Sequence, residues 1–219
     1  MSSEKTPIST SHELTPEVKM LIPKLYEAGC MRFPSFPGEF TNTTTGRPIL
    51  YLFDISAVTS EVDVRDAIVG QYIRAAASIM FDNVISDVPT SITAYVGSIA
   101  TLGRYEILTV KKNPKPFDSS VAGFKERHRD KRVLLIDDAA TTGGSILAVA
   151  RVLREAGAVV RDALVLLDRL EGAREILEKY DIELHSIVAA DDLLRGQIDQ
   201  ARFDKIMREA ELQRKLAAS

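Results

Sequence analysis

Asp137 and Asp138 stand side by side, and beyond two alanines come Thr141, Thr142, Gly143, Gly144 and Ser145. Glycines let a backbone approach a ligand closely, and the threonine and serine hydroxyls offer donors. Two adjacent carboxylates would repel a bare phosphate, but they suit the hydroxyls of a sugar attached to one. The segment Val133–Ser145 (VLLIDDAATTGGS) therefore reads as a cradle for a phosphorylated ribose. A simple helix cap needs one hydroxyl residue rather than three, with two glycines and a paired aspartate besides. Two competing nucleotide motifs, G-x-x-x-x-G-K-[ST] and G-x-G-x-x-G, are absent.

The flanking elements must place this segment at the carboxyl end of a strand. Arg132–Ile136 predicts a buried strand, and Gly144–Glu155 predicts a helix closed by Gly157. Ligands of open α/β sheets bind outside the carboxyl ends of the strands, and a helix amino terminus presents N–H groups and a favourable dipole to an anion. Elsewhere, helices are expected at Glu17–Ala28, Val62–Met80, Ser91–Leu102 and Glu171–Tyr180. In the second of these, Val62, Val69, Ile73 and Ala76 share a face. Strands are expected at Ile49–Ile55, Asn83–Val88, Tyr105–Val110, Val159–Leu167 and Glu183–Ala189, and Asp191–Leu216 reads as mostly helical. This alternation predicts an α/β fold, a parallel central sheet flanked by helices. The polar stretch Lys111–Asp130 is long for a structureless connection and reads as a binding loop or lid.

The chain of 219 residues is long enough for one sizeable α/β core. Its net charge of −3 and pI near 5.7 argue against a nucleic-acid partner, whose binding surface is usually basic. Cys30 is the one cysteine, which excludes an internal disulfide, fits a reducing compartment and reads as a packed thiol. No apolar run reaches membrane-span length, and residues 1–16 read as a polar, disordered leader. A cytoplasmic protein without membrane contact is the expectation. Of the three histidines, His12 falls in the leader, His128 among charges and His185 within a strand, and none is assigned a role.

The run IDDAATTGGS resembles the phosphoribosyl-pyrophosphate (PRPP) signature of type I phosphoribosyltransferases. Further segments resemble the orotate branch of that family. They are Phe40–Arg47 (FTNTTTGR), Asp87–Thr90 (DVPT), the lysine loop KKNPK at Lys111–Lys115, Leu167–Gly172 (LDRLEG) and Ile182–Leu194. The resemblance spans about Phe36 to Leu194. It implies a small N-terminal hood (residues 17–82) on a PRPP-binding core (83–194), followed by a C-terminal helix (195–219).

The activity implied is transfer of ribose 5-phosphate from PRPP to orotate in pyrimidine biosynthesis, with pyrophosphate released. By the same resemblance, Asp137 and Asp138 contact the ribose hydroxyls, and Thr141, Thr142, Gly143, Gly144 and Ser145 hold the 5′-phosphate. Lys111, Lys112 and Lys115 neutralise the leaving pyrophosphate. Thr141 and Arg169 bind the orotate, with Arg169 on its carboxylate. Mg²⁺ is implied, held mainly through PRPP with no dedicated protein ligand. A homodimer is implied as well, with the lysine loop acting across the interface. From the residues alone, Arg169 reads equally well as a surface ion pair with Glu171 or Asp168.

Several positions depart from the family pattern. Thr44 replaces a lysine, Lys111 an arginine, Pro116 an acidic residue and Phe117 a histidine or tyrosine, while Ser91 and Ile92 follow Thr90 where glycine is frequent. Three readings are therefore open: a divergent orotate phosphoribosyltransferase, a transferase for another base, or a non-catalytic PRPP- or nucleotide-binding regulator.

Overall fold

The computed structural model describes residues 14–41, 48–88, 92–108 and 129–218. Leader residues 1–13, Thr44, the 89–91 segment and the loop residues Lys111, Lys112, Lys115, Pro116, Phe117 and His128 lie outside the described residues, whereas the end of the expected leader, Thr15 and Pro16, forms the start of a helix.

Helix α1 (Pro16–Glu27) starts where the Thr15 hydroxyl accepts from the Val18 N–H and Pro16 enters the first turn. It buries Val18, Leu21, Ile22 and Leu25. Two short strands, β1 (Met31–Arg32) and β2 (Leu52–Phe53), pair antiparallel. A 3₁₀ turn (Ile55–Val58) and helix α2 (Val62–Ala76) follow. The strand expected over Ile49–Ile55 is thus reduced to two residues, because Asp54 turns the chain by capping Ser56 through its carboxylate. Helix α2 buries Ile68, Val69, Gln71, Tyr72 and Ala76. Its inward face is therefore rotated from the expected one, and Val62 is exposed.

The main sheet comprises β3 (Val84–Asp87), β4 (Glu106–Leu108), β5 (Arg132–Ala140), β6 (Val159–Asp168) and β7 (Glu183–Ala189). Its order is β4-β3-β5-β6-β7 with every neighbour parallel, which is the expected α/β architecture. Central strand β5 carries the unbroken apolar run Val133–Ile136, as a strand covered on both faces requires. Leu134 and Ile136 face a core shared with α1, α2 and α3 (Thr93–Gly103). Val133 and Leu135 face a second core built with α4 (Gly144–Glu155) and α5 (Ala173–Glu178). After β7 the chain forms the short α6 (Ala190–Leu194), a break, and then α7 (Gln200–Ala218), so the last helical stretch is two helices rather than one. Cys30 is fully buried, and that burial, reinforced by the Asp54 charge, pushes its thiol up to about 12.

Candidate functional site

Strand β5 does not stop at Ile136 as its apolar run suggested. It continues through both aspartates to Ala140, because β6 keeps pairing with it: Asp137 lies opposite Val165 and Ala140 opposite Asp168. On its other side β3 ends at Asp87, opposite Ile136, and the Val88 N–H closes that ladder on the Ile136 carbonyl at 2.9 Å. The two aspartates therefore occupy the part of β5 that outruns its neighbour. Both are buried, at 3% and 8% exposure. The Asp138 N–H donates to Asp137 Oδ1 at 2.9 Å, and the Ala139 N–H donates to Asp138 Oδ1 at 2.8 Å, so the backbone itself orients each carboxylate.

Tyr72 of α2 anchors this strand end from below, donating its hydroxyl to the Asp137 carbonyl at 2.7 Å. Complete burial, then the charges of Asp138 and Asp137, hold the phenol well above its ordinary pKa, so it remains a donor. Sequence reasoning missed this residue. A tyrosine among apolar helix positions reads as core, and its partner lies 65 residues away.

The turn that follows carries Thr141 and Thr142 and reaches Gly143 at φ +75°. A Cβ there would sit 3.0 Å from Leu177 Cγ, so both backbone and packing require glycine. Helix α4 begins with Gly143 as its N-cap, with no side-chain capping bond and no acidic residue in its first turn. Such a terminus is suited to an anion. Gly143 is buried, whereas Thr142, Gly144 and Ser145 are exposed at the mouth of the turn.

Arg169 follows β6 and reaches the same place. Its N–H donates to the Ala140 carbonyl at 3.0 Å, locking the two turns together. Its guanidinium lies over the Tyr51 ring at 4.1 Å and donates from Nε to Glu171 at 2.8 Å and from Nη1 to the Tyr51 carbonyl at 3.4 Å. Burial opposes its charge, but Tyr51 and Glu171 outweigh that and raise its pKa further. The expected pairing with Glu171 is present, yet it is not a surface pair: the Arg169 side chain is only 11% exposed. Asp168 instead holds Arg174 and caps the Leu170 N–H.

A cleft joins these parts. It is lined by Pro48–Tyr51 ahead of β2, by Thr141 and Thr142, by Arg169 and Glu171, and by Ile206, Glu209, Ala210 and Gln213 of α7. Thr41 and Pro48 form an antiparallel bridge at the ends of the threonine-rich segment, which brings that segment's base to the cleft. The structure thus gathers Thr141, Thr142 and Arg169 in one cleft, with the aspartates in the strand end leading to it. The α7 residues carried no signal in the sequence beyond that of a charged helix. His185 lies elsewhere, bonded to Asp162 at 3.0 Å toward the amino-terminal half of the sheet.

Residues 75–194 match the family model of the phosphoribosyl transferase domain. The chain is 32% identical over 178 residues to the orotate phosphoribosyltransferase of Methanocaldococcus jannaschii, covering 81% of this chain and 97% of that one. Among solved structures, the orotate phosphoribosyltransferase of Aeropyrum pernix superposes with a TM-score of 0.66 at 23% identity, covering 81% of this chain and 99% of that one. The UMP synthase of Leishmania donovani superposes with a TM-score of 0.74 at 20% identity, covering 90% of this chain and 43% of that one. The structural likenesses bear on the fold, and the sequence matches on the lineage. The chain belongs to the phosphoribosyltransferase family, in its orotate phosphoribosyltransferase branch.

Proposed function

We propose that this protein transfers the 5-phosphoribosyl group of PRPP to orotate, giving orotidine 5′-monophosphate and pyrophosphate in pyrimidine biosynthesis. One observation carries this reading: a single cleft sets the Arg169 guanidinium beside the turn that opens α4 without a side-chain cap. An anion site for a phosphate and a cation site for an aromatic carboxylate are thereby neighbours. In the reaction the bond from the ribose anomeric carbon to pyrophosphate breaks, its electron pair leaving with the pyrophosphate, and a bond to the ring nitrogen N1 of orotate forms as N1 gives up its proton to the departing pyrophosphate or to water.

The positions of the described residues support their roles, and the family resemblance supports those of the lysine loop. Amides and hydroxyls of Thr141–Ser145 hold the 5′-phosphate. Asp137 and Asp138 take the ribose hydroxyls, and their charge favours the oxocarbenium character that develops at the anomeric carbon. Tyr72 and the two backbone-bound carboxylate oxygens keep that pair oriented. Arg169, fixed by Tyr51 and Glu171, takes the orotate carboxylate, with Thr141 beside it. Lys111, Lys112 and Lys115 serve the leaving pyrophosphate, reaching from the neighbouring subunit of a homodimer. Residues 17–82 act as a hood over the 83–194 core. No described helix is long and apolar enough to cross a membrane, and a cytoplasmic location suits the reaction.

Mg²⁺ fits this site as an ion carried by its substrate. The buried acidic pair beside the phosphate turn tolerates a cation, yet each carboxylate already gives one oxygen to a backbone amide, which suits few direct protein ligands. When bound, the ion neutralises pyrophosphate charge.

Purified protein mixed with PRPP, Mg²⁺ and orotate tests the reading through loss of orotate absorbance and release of pyrophosphate. Turnover that depends on all three is expected. Reaction of another base with none of orotate, or PRPP binding without any turnover, would overturn it.

A further inference from the structure

We infer that α7 forms the far wall of the acceptor pocket and that Glu209 reads the ring N–H opposite the carboxylate that Arg169 binds. This rests on the acceptor assignment above and goes beyond it, because α7 lies after residue 194, where the family match ends.

Helix α7 is seated firmly enough to act as a wall. Ile206 and Ala210 are each only 4% exposed. Gly172, at φ +102°, approaches so closely that a Cβ there would lie 2.4 Å from Ala217 Cβ. Arg214 pairs with Glu175, and Lys179 Nζ donates to the Ala217 carbonyl at 3.0 Å. Residues 206, 209, 210 and 213 follow helical spacing, so the face that buries Ile206 and Ala210 also carries Glu209 and Gln213 to the cleft. Gln213 Nε2 donates to Glu209 Oε1 at 2.7 Å, which restricts the carboxylate before any ligand arrives.

The cleft lining includes the Arg169 guanidinium, already paired with Glu171, and, contributed by α7, the solvent-facing carboxylate of Glu209. Orotate has the matching order. Its carboxylate and its N3–H sit at opposite positions of the ring, so a molecule anchored on Arg169 points its N3–H away from that residue. A carboxylate accepts such a donor well, whereas a second anionic group at that end would be repelled. Glu209 is then a binding residue, and Gln213 a positioning residue that acts through it.

The test measures steady-state constants of the full-length protein with Glu209→Ala, Glu209→Gln and Gln213→Ala, using orotate and 3-methylorotate. Glu209→Ala is expected to raise the orotate KM about tenfold, with the PRPP KM and Tm near the parent values. Glu209→Gln should restore most of the loss, and Gln213→Ala should show a smaller rise. The parent should discriminate against 3-methylorotate, and Glu209→Ala should abolish that discrimination. An unchanged orotate KM in Glu209→Ala, discrimination that survives it, or a change confined to Tm and the PRPP KM would overturn the inference. A parent protein inert with orotate would overturn the acceptor assignment beneath it instead.

Discussion

Two turns of this molecule are built alike and packed differently. Strands β5 and β6 run in parallel to Ala140 and Asp168, and each is followed by a turn that ends on a glycine with positive φ, Gly143 or Gly172. Each glycine is the N-cap of the next helix, and neither cap has a side-chain bond. The difference lies in what meets the helix start. At Gly172 the C-terminal helix packs onto the turn, and Glu175 in the first helical turn engages Arg214. At Gly143 a buried leucine presses from inside, no acidic residue occupies the first helical turn, and the preceding Thr141 and Thr142 line the cleft. One helix start is covered by another helix of the protein, and the other carries no acidic side chain in its first turn. Asp168 binds Arg174 and a backbone amide, and Asp137 and Asp138 each accept from the next backbone amide at the strand end that outruns β3.

This contrast can be broken at several points. The largest effect is expected from Asp137→Asn with Asp138→Asn, which should lower turnover on the order of 10²–10³-fold with little change in Tm. A near-parental rate would remove the acidic pair from the chemistry. Asp168→Ala should act on stability instead. It removes one partner of Arg174, which keeps the Leu184 carbonyl and the Ser186 hydroxyl, and it uncaps the Leu170 N–H; with that arginine side chain 42% exposed the cost is about 1–2 kcal/mol, read by denaturant unfolding.

The two glycines separate the turns most cleanly. Gly143→Ala and Gly172→Ala should each cost about 1–3 kcal/mol for a side chain in the left-handed region, and Gly172→Ala more, because its Cβ would lie 2.4 Å from Ala217 Cβ. Only Gly143→Ala should also raise the PRPP KM, and equal effects on that constant would erase the contrast. The smallest effect concerns Cys30. Its raised pKa means that stability tied to the neutral thiol is present below the ordinary thiol range and fades as pH climbs toward about 12. At pH 8 a thiol reagent should label the native protein slowly, and labelling should quicken in the glycine variants in proportion to their lost stability.

The strand–turn–helix around Asp137–Ser145 was legible because its signals are local: the aspartates, the hydroxyl residues and the glycines are contiguous, and α4 and β7 fall at their expected boundaries. Boundaries set by distant partners were not legible. Strand β5 outlasts its apolar run because β6 continues beside it, a matter of pairing rather than hydrophobicity. The inward face of α2 was misjudged because Tyr72 turns in to meet a carbonyl on β5. Arg169 could not be told from a surface residue, since what buries it is the Tyr51 ring, 118 positions away. Glu209 and Gln213 sit in a helix rich in charge, where an i,i+4 pair ordinarily means a solvated face.

The central claim is that the turn after β5, and not the one after β6, holds the phosphoribosyl donor. A crystal structure with PRPP and Mg²⁺ bound tests it most directly. The account predicts the 5′-phosphate within hydrogen-bond distance of the amides at Thr142–Ser145, with the ribose hydroxyls toward Asp137 and Asp138. A 5′-phosphate seated at the start of α5, or away from both turns, would contradict it.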